Sequence, residues 1–91
     1  MDSAYYDDIR GRLMGLLVRL GDRLDLPTQD WVHEFLDHNE LGLALETMAD
    51  GLGEAGAPVE DQERSEILAL VGVMRMDDRV PRALALCPPR P

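Results

Sequence analysis

Apolar residues recur every three or four positions along most of this chain, the spacing that gathers them on one face of an α-helix. The first periodic stretch covers residues 4–24 and predicts one amphipathic helix, for which Asp2 or Ser3 can serve as the N-cap. Either Gly21 or the Leu26–Pro27 pair ends it, because the residue before a proline avoids helical backbone angles. The predicted buried face consists of Tyr6, Ile9, Leu13, Leu16, Leu17, Leu20 and Leu24.

Two further helices follow, with a short connection between them. Residues 28–38 predict one helix, and residues 39–56 predict the next, which a glycine near its end would stop. Asn39 suits the junction, because asparagine accepts the left-handed conformation that ends a helix and also caps the start of one. We therefore expect a tight hairpin or corner between these helices. The predicted buried side of the first one consists of Trp31, Val32, Phe35 and Leu36.

A fourth helix is predicted to begin near Glu60 and to fray near Asp77. Ile67, Leu70, Val71 and Met74 form its inner stripe, and the acidic residues of its first turn suit the positive end of the helix dipole. The closing stretch VPRALALCPPRP holds four of the six prolines. We expect residues 85–91 to form a loose tail, since so many prolines interrupt any regular element.

These patterns together predict an all-α fold, because no alternating strand pattern occurs and leucine and alanine favour helices. The 91 residues correspond to one domain. We expect a small single-domain bundle of about four helices over residues 1–80, with a proline-rich C-terminal tail over residues 81–91. The expected core contains Leu16, Leu20, Trp31, Phe35, Leu45, Met48, Ile67 and Val71.

Charge is distributed unevenly along the chain. Eighteen acidic residues against nine arginines, with no lysine, give a formal charge of −9, and residues 25–66 hold twelve of the acids with a single arginine. Nucleic acid and anionic membranes would be repelled by such a surface, so we expect neither as a direct partner. No apolar run approaches the roughly 20 residues of a membrane span, and the single Cys87 has no internal disulfide partner. We expect a cytoplasmic protein.

Candidate chemistry is sparse. The run HEFLDH resembles the HExxH metal motif, but His33 and His38 lie five residues apart, about 140° round a helix, and cannot bind one metal from one face. Cys87 has no base or helix N-terminus beside it that would activate a thiol. The sequence therefore predicts no catalytic residues, no metal site and no cofactor, and we do not expect an enzyme.

The helix predicted over residues 39–56 carries three acids at i, i+4 and i+8 on the side opposite its apolar face. Like charges at this spacing cost about 0.2–0.5 kcal/mol per pair, and no basic residue lies within the stretch. A single acidic helix face is usually only solvated, but here the preceding helix carries a second one and a leucine projects among the acids. This combination favours a binding surface for a basic partner. The predicted partner-binding residues are Asp30, Glu34, Asp37, Leu43, Glu46, Asp50 and Glu54.

The run WVHEFLDHNELGLALETMADGLGEAGAP, residues 31–58, resembles the central motif of MafI-type immunity proteins of bacterial polymorphic toxin systems. In that motif a helix of the form V-x-E-F-[IL]-x-H-x-E leads into G-L-A-L-E-x-[LM]-A-[DE], followed by a short loop and a proline. The proline-rich end departs from the family pattern. The matching positions are Val32, Glu34, Phe35, Leu36, His38, Glu40, Gly42 to Glu46, Met48, Ala49 and Asp50.

The resemblance implies a small acidic helical protein that binds and neutralises a cognate toxin domain, frequently a nuclease. The acidic surface would then meet the basic, nucleic-acid-binding cleft of the toxin. Two alternatives remain open: an adaptor or dimerisation module that uses the same acids and leucine, and a regulator that mimics the charge of DNA. A stable oligomer formed without any toxin would favour the adaptor, and the absence of a neighbouring toxin gene would favour the regulator.

Overall fold

The periodic apolar stretches form helices in the computed structural model, which describes residues 3–90. These are α1 (Ser3–Leu20), α2 (Leu26–Asp37), α3 (Leu41–Ala55), α4 (Asp61–Val73) and α5 (Arg79–Leu84), and a 3-10 turn at Gly21–Arg23 follows α1. The predicted all-α bundle is confirmed, with the short α5 as an addition to the four longer helices. None of the helices in residues 3–90 combines the length and the apolar composition of a membrane span.

The ends of the helices follow local hydrogen-bonding rules. α2 begins earlier than predicted because the Asp25 carboxylate accepts a hydrogen bond from the Thr28 N–H at 2.8 Å, with Pro27 in the first turn. Asn39 takes the left-handed conformation between α2 and α3, with φ of 58°. Gly56 ends α3 in the same conformation. The suggested cap at Asp2 lies outside the described residues.

Helix α3 lies at the centre of the bundle and packs against α1, α2 and α5. One broad side of it is buried, including Ala44, Leu45 and Met48. Glycine at position 53 allows α5 to approach α3 closely, because a Cβ there would lie 2.8 Å from the Ala83 carbonyl oxygen of α5. Val80 and Leu84 of α5 are buried in the core in return.

Most of the predicted core is observed. Leu16, Leu20, Leu45, Met48 and Ile67 are buried, and Phe35 and Val71 are partly buried against them. Trp31 is an error of the sequence-based prediction, because 58% of it is exposed. α2 buries Val32 and Leu36, and Trp31 lies about 120° round the helix from the middle of that stripe.

The proline-rich end follows the helices, but its described part is packed against the bundle. The Val59 N–H donates to the Pro88 carbonyl at 2.9 Å, and the Arg90 N–H donates to the Val59 carbonyl at 3.2 Å. Val59 and Cys87 are both buried. The prediction of a loose tail is therefore wrong for residues 85–90, while Pro91 lies outside the described residues.

Two arginine side chains, those of Arg64 and Arg23, join separate segments of the bundle by hydrogen bonds. Arg64 of α4 donates to the Leu84 and Cys87 carbonyls, each at 2.8 Å, and thereby satisfies carbonyl groups at and beyond the end of α5. Arg23 donates to both carboxylate oxygens of Glu63, at 2.6 and 3.0 Å. Since Glu63 is only 1% exposed, this fork joins the end of the first helical segment to the start of α4.

Candidate protein-binding surface

Ion pairs decide which acids remain available to a partner. Arginines that lie outside residues 25–66 in the sequence reach many of the acids within that segment. Arg12 of α1 donates to Glu66 at 2.8 Å, and Arg19 lies 3.5 Å from Glu60. Arg90 lies 3.7 Å from the other carboxylate oxygen of Glu60. The acids of α4 are thus largely neutralised in space, although the local sequence suggested a strongly negative region.

The acidic ridge predicted on α3 is also partly neutralised. Arg79 of α5 donates to Asp50 at 2.5 Å and lies 3.8 Å from Glu46. Both acids are only partly exposed, so they are less available to a partner than their position opposite the apolar face suggests. Local sequence reasoning missed this because the partner arginine comes from a helix 29 residues away from Asp50. Glu54 is exposed and borders a shallow depression that also contains Arg79.

The outward side of α2 is different, because no arginine reaches it among the residues that the structure describes. Asp30, Glu34 and Asp37 are all exposed. Asp30 and Asp37 make no ion pair within residues 3–90, and Glu34 has only the ring of His38 at 3.6 Å. We call these three carboxylates the α2 acidic face. Of the other predicted acids, Glu54 also makes no ion pair within residues 3–90, whereas Glu46 and Asp50 are paired with Arg79.

His38 follows the last residue of α2 and lies beside Glu34 of this face. Its Nδ1–H donates to the Glu34 carbonyl oxygen at 2.9 Å. This backbone hydrogen bond, followed by the charges of Glu34, Glu40 and Asp37, raises the pKa of His38 above its ordinary value. The negative charge of the α2 acidic face therefore falls by one unit as His38 gains a proton, which begins at a higher pH than for an isolated histidine.

Trp31 is the apolar part of this surface that the sequence reasoning missed. Its ring stacks on Phe35 with a centroid distance of 5.7 Å and an interplanar angle of 26°. It borders a shallow depression of about 390 Å³ whose other lining residues are Pro27, Asp30 and Glu34. An exposed aromatic ring beside carboxylates is the composition expected of a binding site rather than of a core.

Leu43 on α3 is 43% exposed, as predicted. Thr28 of α2 packs against Gly51 of α3, where a Cβ would lie 3.1 Å from the threonine Cγ2. Trp31 lies about 60° round α2 from Thr28 and is therefore at the margin of α2 nearest α3. The seven predicted residues form two groups: the α2 acidic face beside Trp31, and the α3 strip that carries Leu43, Glu46, Asp50 and Glu54.

Comparison of the chain with protein-family models, with curated proteins and with solved structures finds no match. Within residues 3–90, no three His, Cys, Asp or Glu side chains lie close enough together to hold a metal ion. The only cysteine, Cys87, is buried, and burial raises the pKa of its thiol although Arg64 partly opposes the shift. The α2 acidic face with Trp31 is therefore the arrangement in which charge and exposed apolar surface coincide.

Proposed function

We propose that this protein is an immunity protein that binds and neutralises a basic toxin domain, frequently a nuclease in such systems, in the bacterial cytoplasm. The observation that carries the proposal is the α2 acidic face, whose carboxylates are left without arginine partners beside the exposed ring of Trp31. It acts by binding and has no catalytic role. The positions that match the motif of MafI-type immunity proteins run from Val32 in α2 to Asp50 in α3.

The two parts of the surface have different roles in this proposal. Exposed carboxylates attract a basic partner over several ångströms and raise the association rate, an effect that salt screens. Aromatic and aliphatic side chains that become buried on contact slow dissociation instead. Trp31 and Leu43 supply such apolar area, whereas Glu46 and Asp50 contribute less to the attraction because Arg79 already neutralises them in part.

The test is the kinetics of binding to the toxin domain encoded by the neighbouring gene, measured at low and at physiological salt. Asp30→Lys should slow association about fivefold at low salt and flatten its salt dependence. Asp61→Lys is the matched control, because Asp61 is exposed and makes no ion pair within the described chain but lies on α4. Leu43→Ala should leave the association rate unchanged and raise the dissociation rate.

Equal association rates for Asp30→Lys and Asp61→Lys would show that the α2 acidic face is only a solvated surface. The oligomeric state of the protein alone is measured first, by sedimentation. This is needed because Met14 and Val18 are exposed on α1 and offer apolar surface for self-association. A stable dimer without toxin would favour the dimerisation module over the immunity protein. Binding to a DNA-binding protein in the absence of any toxin gene would favour the charge-mimicking regulator.

A further inference from the structure

We propose that Trp31, Asp30 and Glu34 form an acceptor site for a single arginine side chain, with the guanidinium stacked on the indole ring between the two carboxylates. The site itself follows from the geometry of α2. That the arginine belongs to a toxin domain rests on the proposed function. The inference thus assigns the central contact of the interface and the chemistry of the residue that occupies it.

The indole ring is held in place on one side and open on the other. Phe35, four residues later on α2, stacks against it with near-parallel planes, and Phe35 itself is partly buried against the core. Such support fixes the ring direction, so a ligand need not order a mobile side chain. The open side borders the depression that Pro27 closes at the start of the helix.

The carboxylates of Asp30 and Glu34 lie on the same side of α2 as this depression. Successive residues turn by about 100° on a helix, which places Pro27, Asp30 and Glu34 within one arc of roughly 60° beside Trp31. No arginine competes for Asp30 within residues 3–90, and Glu34 has only His38 nearby. A cation that enters the depression therefore meets an aromatic face and two carboxylates that other side chains leave available.

Arginine fits this arrangement better than lysine. Its guanidinium is planar and weakly hydrated, so it stacks on an indole ring and still presents N–H groups in its plane to carboxylates. A lysine ammonium is a compact, strongly hydrated point charge that can satisfy only one of these contacts well. The site should consequently prefer arginine over lysine, and it should not hold a neutral residue of the same shape.

The molecule supplies its own probe, because Trp31 is the only tryptophan in the sequence. An acetylated and amidated peptide of alternating arginine and glycine is titrated while the tryptophan emission is recorded, with excitation beyond the absorption of tyrosine. A second peptide has lysine in place of every arginine. We expect a saturable change in emission with the arginine peptide and a weaker change with this lysine peptide. The same peptide with citrulline in place of arginine keeps the shape without the charge, and it should have no effect.

Two matched variants separate the site from the general negative charge of the protein. Asp30→Asn should weaken the arginine peptide about two- to fivefold, the range expected for an exposed cation–aromatic site that loses one flanking charge. Asp61→Asn removes the same charge on α4 and should leave the midpoint unchanged. Equal effects of the two variants, equal responses to arginine and citrulline, or no response at all would each overturn the proposal.

This titration uses no toxin, so its result is independent of the proposed function. If the toxin binds but Trp31→Leu leaves its dissociation rate unchanged, the acceptor site is not the central contact of the interface, and the immunity role stands. If the arginine peptide binds at Trp31 but no toxin does, the site stands and the immunity role is wrong. Because Trp31 is exposed, its replacement should not unfold the protein, and circular dichroism checks this.

Discussion

Gly53 is the residue at which the backbones of α3 and α5 come close together. A Cβ there would lie 2.8 Å from the Ala83 carbonyl oxygen, a backbone atom that can move only if α5 moves. Gly11 of α1 differs, because a Cβ there would meet nothing within 4 Å. Glycine is therefore required at position 53 by packing, whereas at position 11 it only weakens the helix.

We expect Gly53→Ala to lower the free energy of unfolding by about 1–3 kcal/mol, the usual cost of overpacking a close contact. Gly11→Ala should instead raise it by up to about 1 kcal/mol, because alanine is the better helix former. Denaturant unfolding followed by circular dichroism measures both. Stabilisation by both alanines would show that α5 is not held tightly against α3.

The ion pair between Arg23 and Glu63 is a second interaction whose contribution to stability a single substitution can reveal. Arg23→Met would leave the buried Glu63 carboxylate with Arg19, at 3.6 Å, as its one cationic neighbour among residues 3–90. We expect a loss of about 3 kcal/mol, since a buried charge without its partner is costly. The double variant Arg23→Met, Glu63→Leu should recover most of the loss, and a double-mutant cycle measures the coupling. A purely additive double variant would argue against the pair.

The same pair should make stability depend on pH. Burial raises the pKa of Glu63, but hydrogen bonds from Arg23 and from the Glu60 N–H, with the charges of Arg23 and Arg19, outweigh burial and leave the pKa below its ordinary value of 4.5. A lowered pKa in the folded state means that the stabilisation is complete above 4.5 and is lost as the pH falls below it. As the pH falls below 4.5, the free energy of unfolding should therefore decrease less steeply in Glu63→Gln than in the unsubstituted protein.

At the scale of elements, the C-terminal segment belongs to the bundle. Deletion of residues 86–91 would remove the buried Cys87 and one of the two carbonyls that Arg64 binds. We expect a loss of about 2–4 kcal/mol in the free energy of unfolding, from the lost burial and the charged hydrogen bond. Leu86→Ala is the control, because Leu86 is exposed and should change stability little. Unchanged stability of the truncated protein would instead support the prediction that this segment is a loose tail.

The long helices were predictable because their apolar positions follow the helical period, and their observed ends differ from the expected ones by a few residues. The short helix α5 was not predictable in this way, because it lies in the closing stretch whose four prolines argue against a regular element. Proline is tolerated in the first turn, where its missing N–H would have no helical partner, and Pro81 occupies the third residue of α5. A helix of six residues also shows too little periodicity to be recognised, and its stability comes from burying Val80 and Leu84.

The candidate surface was predictable only in part, for a related reason. The acids of α2 were correctly placed on an exposed side, since Val32 and Leu36 fix the buried one. Whether an acid is neutralised, however, depends on residues far away in the sequence, as Arg79 shows for Asp50. The exposure of Trp31 likewise depends on how closely α2 packs against its neighbours. Hydrophobic character alone favoured the core.

At the scale of the whole molecule, the net charge of −9 is not uniform in space. Arginines from α1 and from the C-terminal region lie against α3 and α4, whereas none pairs with the carboxylates on the outward side of α2 within residues 3–90. Such an asymmetric field orients an approaching basic protein before contact. The radius of gyration is 12.2 Å, about that of a compact domain of this length, so one face of α2 is a substantial part of the surface a partner meets.

Helix α2 is fixed at both ends, by the Asp25 cap at its start and at its end by Arg10, which donates to the Leu36 carbonyl and to Asn39. A partner that docks on it would therefore meet a surface that is already folded, and little conformational entropy should be lost on binding. The heat capacity change on association should then correspond to the area of the contact alone, without the larger decrease that accompanies folding of a disordered segment. Calorimetry over a range of temperatures would thus measure the size of the interface directly.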